Sequence, residues 1–212
     1  MDKNFWRQKW ERNEIAFHAS EPNPLLVKYL DQLSPANGGR LFLPLCGKTL
    51  DIPWLLSNGF RVAGAELSKI AVGQLFSELG IEPKISQVGE LDHYSAENID
   101  LFAGDIFDLS GKRLGPVDAI YDRAALVALP AEMRKRYAAH LTEITDQAPQ
   151  LLICYEYDQS LMEGPPFSID AEEVNSLYGD RYHLDLMATQ KVPGGLKGIR
   201  AVNETVWLLK NE

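Results

Sequence analysis

The chain has 212 residues, 45% of them hydrophobic, and a formal net charge of -9 at pH 7. That length is enough for one well-buried core without forcing a second domain, and the acidic balance argues against nucleic acid or an anionic membrane as partner, because both recruit clustered Lys and Arg. The opening MDKNFWRQKWERNE lacks the apolar stretch of a signal peptide and no later run is long enough to span a bilayer, so a cytoplasmic protein acting on a small molecule is expected.

In chain order, the first segment is FWRQKWERNEIAFH, in which Trp6, Trp10 and Phe17 fall at helical spacing. An amphipathic helix covering the core is one reading, and an aromatic roof over a ligand pocket is the other. Arg40 to Leu45 is the first strand, followed by a helix from about Thr49 to Asn58 that tolerates Pro53 in its first turn. A second strand over 61–67 leads through Ser68, placed as an N-cap, to a helix with Ile70, Ala71, Leu75, Phe76 and Leu79 on one face, closed by Gly80. Residues 81–98 are mixed and polar, and read as irregular structure or a short antiparallel excursion. Strands follow at 99–103, 117–122 and 150–157, with a helix at about 131–145 carrying Arg134, Lys135 and Arg136 on its solvent side. After a helix near 171–178, strands at about 182–189 and 204–209 are joined by VPGGLKG, too short for a crossover helix, so they should be antiparallel neighbours.

Alternating strand and helix signals predict an α/β fold with helices on both faces. Seven strands in a mostly parallel sheet with an antiparallel final pair is the architecture of Rossmann-like methyltransferases that bind S-adenosylmethionine. A single domain is expected, with residues 1–38 as a covering segment, 39–212 as the core, and a monomer as the working state. Cys46 and Cys154 each end a strand-like run and read as buried thiols. The four histidines share no recognised ligand spacing, which predicts no metal.

In an open α/β sheet the ligand lies beyond the carboxyl ends of the strands. The first such turn, LPLCGK, has one glycine where dinucleotide sites have three. Glu66, 19 residues after Gly47 and at the tip of the second strand, is placed to accept from both hydroxyls of a ribose; a surface glutamate is the plain alternative. Asp105 can accept from an adenine amino group or can cap a turn, and Ile106 offers an apolar wall to the ring. Arg123, after the fourth strand, can clamp an anionic acceptor or pair with neighbouring Asp122.

Taken together, FWRQKWERNEIAFH, LPLCGK, AGAELS, GDIFDL, DRAALVALP and GPPF resemble the thiopurine S-methyltransferase family, particularly its bacterial members, over about residues 4 to 170. The resemblance implies S-adenosyl-L-methionine as cofactor, S-adenosyl-L-homocysteine as product and S-methylation of thiopurines and other aromatic or heterocyclic thiols. It places cofactor contacts on Trp6, Trp10, Leu45, Glu66, Ile106 and Arg123, and substrate contacts on Phe17 and Arg123, with Arg123 also the catalytic candidate. An additional substrate-side arginine of animal members has only Lys197 and Arg200 loosely in register. Other acceptors on the same fold are inorganic selenium or tellurium species, halide and small thiols. From other classes, a nicotinamide-dependent oxidoreductase is disfavoured by the single Gly47 and the antiparallel final pair, and a non-catalytic adenosine-binding module would have no need of Phe17 or Arg123.

Overall fold

In the computed structural model, which describes residues 3–15, 20–33 and 38–211, two helices, α1 (Lys3–Glu11) and α2 (Pro24–Tyr29), precede the first strand. Strand and helix then alternate as β1 (Arg40–Pro44), α3 (Asp51–Ser57), β2 (Arg61–Glu66) and α4 (Lys69–Leu79), followed by three strands, β3 (Lys84–Val88), β4 (Leu91–Ala96) and β5 (Ile99–Ala103). The second half continues with α5 (Gly111–Leu114), β6 (Ala119–Arg123), α6 (Ala131–Ile144), β7 (Gln150–Glu156), α7 (Ala171–Tyr178), β8 (His183–Lys191) and β9 (Asn203–Lys210). All nine strands join one sheet in the order β3-β4-β5-β2-β1-β6-β7-β9-β8.

The five strands β5, β2, β1, β6 and β7 run parallel, and β9 and β8 extend them antiparallel, as expected for the seven strands read from the sequence. The correction is the count. Residues 84–96 add an antiparallel hairpin at the far edge, turning at Gly89 and Glu90, where Gly89 has φ 68°. Most of β3 is solvent-exposed, so it carries no inside-outside alternation for a pattern reading to find. The antiparallel excursion, one of the two readings of this stretch, is the one adopted.

Side chains of the central strands alternate between two cores. Leu41, Leu43, Val62, Leu101, Leu151 and Ile153 face Ile52 and Leu55 of α3 and Val72, Leu75 and Phe76 of α4. Phe42, Ala63, Phe102, Ile120 and Leu152 face Tyr137 and Leu141 of α6 and Val174 and Tyr178 of α7. Ser68 caps α4 by accepting from the Ala71 N–H, and Gly80 ends it in the left-handed region, as the sequence indicates. Both cysteines are buried free thiols. Among the described residues no helix is long and apolar enough to cross a membrane.

Two further expectations change. Arg134 does not lie on the solvent side of α6: it is buried at 6% exposure, donates through Nε and Nη2 to Glu173 on α7 at 2.6 and 3.0 Å, and through Nη1 to the Leu129 carbonyl at 2.8 Å. Asp122 does not pair with Arg123. Neighbours in a strand point to opposite faces, and Asp122, fully buried, accepts from the Tyr137 hydroxyl at 2.7 Å and from the Leu126 N–H at 3.2 Å.

Burial pushes the Asp122 carboxyl up to about 6, against the opposing pull of the Tyr137 hydroxyl and the Leu126 and Ala125 N–H groups. A folded-state value above the unfolded one means that the protonated form carries the extra stability. That contribution is full below pH 4 and is lost as pH rises through about 6. At about 1.4 kcal/mol per unit, it amounts to roughly 2–3 kcal/mol. Urea unfolding between pH 4 and 7.5 should show wild type losing this much relative to Asp122→Asn; parallel stability curves for the two proteins would rule the assignment out.

Candidate active site

The strand order reverses between β1 and β6, and the cavity of about 860 Å³ opens at the carboxyl ends of the strands around that point. Its floor is the turn after β1. Leu45 (φ 47°) and Gly47 (φ 55°) both occupy the left-handed region, and a Cβ at Gly47 would come within 3.1 Å of the Trp10 indole. Glycine is therefore favoured on two counts, its backbone angle and the aromatic ring lying against it. Trp10, at 5% exposure, anchors α1 onto the turn, with Trp6 one helical turn earlier also lining the cavity.

Glu66 terminates β2 and is buried at 5% exposure. Its Oε2 accepts from the Gly47 N–H and its Oε1 from the Ser68 N–H, both at 2.8 Å. Burial pushes the carboxyl above its ordinary value, while the N–H groups of Ser68, Gly47 and Leu67 pull it back. Each carboxylate oxygen keeps a lone pair beyond the bond it has made. Those lone pairs can take the two hydroxyls of a vicinal diol, so the group that S-adenosylmethionine presents as its ribose fits the donor and acceptor set here.

Further along the cavity, Asp105 ends the turn after β5. It caps the short 3₁₀ turn Ile106–Asp108 by accepting from the Phe107 N–H at 3.1 Å, which is the capping reading of the sequence, while still lining the cavity. Ile106 is buried at 5% exposure, and its carbonyl lies 2.8 Å from His140 Nε2; a carbonyl only accepts, so that nitrogen carries the hydrogen.

Arg123 is the last residue of β6, and Ala124 follows it at φ 62°. Glu66 and Arg123 end the strands on either side of β1, which puts them about 10 Å apart by strand spacing. Burial works against the charge on Arg123, and nearby Tyr121, Tyr155, Asp51 and Glu204 outweigh it, raising the guanidinium further. The two carboxylates in that set bond elsewhere: Asp51 accepts from the Asn23 N–H at 2.6 Å, Thr49 Oγ1 at 3.0 Å and the Tyr121 hydroxyl at 3.1 Å, and Glu204 accepts from Gln190 at 3.4 Å.

The cavity thus brings together Trp6, Trp10, Leu45, Glu66, Asp105, Ile106 and Arg123. Phe17, the expected substrate-side phenylalanine, lies outside the described residues. The sequence reading assigned no role to Tyr155 at the end of β7, to Asp51 or to Pro165 and Pro166, all of which line the cavity, as does Lys197. Lys197, in the turn between β8 and β9, donates to the Pro165 carbonyl at 2.6 Å; of the two residues loosely in register with the animal arginine, it is the one at the cavity, and Arg200 is not. A signal for Tyr155 existed, a polar aromatic just where a buried strand reaches its carboxyl end. Asp51 had none, because it reads as an ordinary acidic residue in a first helical turn.

A family model described as thiopurine S-methyltransferase matches residues 1–212. A thiopurine S-methyltransferase of Xanthobacter autotrophicus is 54% identical over 99% of both chains, and one of Teredinibacter turnerae is 53% identical over 99% of this chain and 97% of the other. Among solved structures, an S-adenosylmethionine-dependent methyltransferase from Anabaena variabilis superposes with a TM-score of 0.65 at 18% identity, covering 99% of this chain and 95% of that one. A Burkholderia thailandensis 1,6-didemethyltoxoflavin-N1-methyltransferase with bound S-adenosylhomocysteine gives 0.69 at 14% identity, covering 99% and 87%. These two likenesses concern the fold. The full-length match places the chain in the thiopurine S-methyltransferase family, as an S-adenosylmethionine-dependent methyltransferase.

Proposed function

We propose that the chain transfers a methyl group to the sulfur of thiopurines and other aromatic or heterocyclic thiols. The observation that carries this reading is one cavity with a diol-accepting carboxylate, Glu66, at one end and a guanidinium, Arg123, about two strand spacings away. When bound, S-adenosylmethionine would supply an electrophilic methyl on a sulfonium, which the acceptor sulfur would take in line as the methyl–sulfonium bond breaks and S-adenosylhomocysteine leaves. Glu66 holds the ribose, Ile106 and Asp105 take the adenine, and the turn at Leu45 to Gly47 fixes the floor. Trp6 and Trp10 cover the pair, and Phe17 is assigned to the acceptor side. What these residues contribute is alignment in a pocket from which water is excluded.

Arg123 is given the acceptor, whose thiolate it steadies. A heteroaromatic thiol is acidic enough to ionise near neutral pH, so no strong base is called for, and the described cavity offers no His–Cys pair to act as one. The acidic net charge supports a small acceptor over a nucleic acid or anionic membrane. A cytoplasmic monomer of one domain, with the segment ahead of β1 covering the core, belongs to the same proposal.

Replacing Glu66 by Ala should weaken S-adenosylhomocysteine binding by roughly 10- to 100-fold, the loss of charge-assisted hydrogen bonds to the ribose; calorimetry showing unchanged affinity would remove Glu66 from the cofactor. Arg123→Met should lower kcat/KM for 4-nitrobenzenethiol by about tenfold or more while the cofactor affinity moves much less. Equal losses in the two quantities would place Arg123 on the cofactor alone. Assay on selenite alongside the thiol tests the acceptor class, since turnover of selenite only would replace the thiol reading.

A further inference from the structure

Tyr155 stands at the carboxyl end of β7 and lines the cavity. Arg123 is paired with Ile153 across β6 and β7, which puts Tyr155 two residues further along the neighbouring strand, and both residues line the cavity. A guanidinium has donors and no acceptor, so in a hydrogen bond between the two the phenol oxygen receives and keeps its own proton for something else. Glu204 is paired directly with Tyr155 across β7 and β9, on the same face, but the hydrogen bond of its carboxylate runs to Gln190 at 3.4 Å. No acceptor for the Tyr155 proton is found among the described residues, and the space its ring borders is the cavity.

We propose that Tyr155 is a specificity-determining residue whose hydroxyl donates to the ionised sulfur of the acceptor, with Arg123 holding the phenol oxygen in place. The inference rests on the thiol-methylating reading above and adds a residue and a consequence to it. Burial keeps the phenol above its ordinary value despite the Arg123 charge, so it stays a donor at working pH. A donor whose own oxygen accepts from a cation is polarised toward its target. Methylation turns the thiolate into a neutral thioether, a poor acceptor, and the hydrogen bond is lost with the charge. The Tyr155–Arg123 pair therefore distinguishes substrate from product and favours release of the methylated form.

Because the bond is stronger to the anionic sulfur than to one losing its charge, removing it should appear in KM, with kcat unchanged or raised. The test uses the full chain saturated with S-adenosylhomocysteine. Calorimetry compares 4-nitrobenzenethiolate with its methylated counterpart, 4-nitrothioanisole, in wild type and Tyr155→Phe, a substitution that keeps the ring and its packing. The variant should bind the thiolate about tenfold more weakly, the worth of one hydrogen bond to a charged group, and bind the thioether and S-adenosylhomocysteine as wild type does. Equal weakening of thiolate and thioether would reduce Tyr155 to packing, and unchanged thiolate affinity would discard the hydrogen bond. Failure of wild type itself to bind the thiolate would instead overturn the acceptor class, a result separate from either.

Discussion

The site is organised around a carboxylate that the fold buries before any ligand arrives. Glu66 sits at 5% exposure at the end of a central strand, where an unpartnered charge is costly. Its partners are backbone N–H groups from two different turns, Gly47 after β1 and Ser68 ahead of α4. Satisfying both fixes the shape of each turn. The turn after β1 must fold back, which puts Leu45 and Gly47 in the left-handed region, and Ser68 is held where it caps α4. Trp10 then packs on a backbone that is already set. The open lone pairs of Glu66 are what remains once the fold has been served, and the residue lines the cavity.

On the far side of β1 a second buried carboxylate does comparable work. Asp122 gathers the Leu126 N–H and the Tyr137 hydroxyl, and so ties the loop after β6 to α6. That loop begins with Ala124 at φ 62°, a conformation that costs a residue with a Cβ roughly 1 kcal/mol. Non-glycine residues in this region persist only where their surroundings over-determine them. Two of the seven such residues among those described, Leu45 and Ala124, stand at the ends of β1 and β6, the two strands between which the order reverses. The turn at Ala124 lets the chain leave the sheet directly after Arg123, so the guanidinium sits at the rim of the cavity with the strand behind it.

Most of this was legible in the sequence where the signal was local. The parallel strands announce themselves as apolar runs, Ser68 and Gly80 as a cap and a stop, and Glu66 and Arg123 by their position after strands. Elements that depend on distant partners were not legible. Arg134 lies within an RKR run that any pattern reading assigns to solvent, and its burial depends on Glu173, 39 residues on, together with the Leu129 carbonyl. Likewise the hairpin of β3 and β4 is a sheet edge whose first strand faces water, so its residues are chosen for solubility and hide their pairing; Gly89 in a two-residue turn was the one local trace of it. Asp51 is similar, its role set by Asn23 and Tyr121.

For the proposed anionic acceptor, a chain of net charge -9 has to localise its attraction. Screening in physiological salt confines surface charge to about 8 Å, so the acidic exterior weakens approach without deciding what happens in the cavity. Inside, Arg123 needs company, because burial opposes its charge, and Asp51 and Glu204 supply it. Had either carboxylate taken the guanidinium directly, two of its five donors would be spent and its charge paired. Instead their hydrogen bonds run to Asn23, Thr49, Tyr121 and Gln190. The field of the two carboxylates keeps Arg123 charged, while the hydrogen bonds they make run elsewhere. A cation sustained at a distance in this way can hold an arriving anion and still release a neutral product.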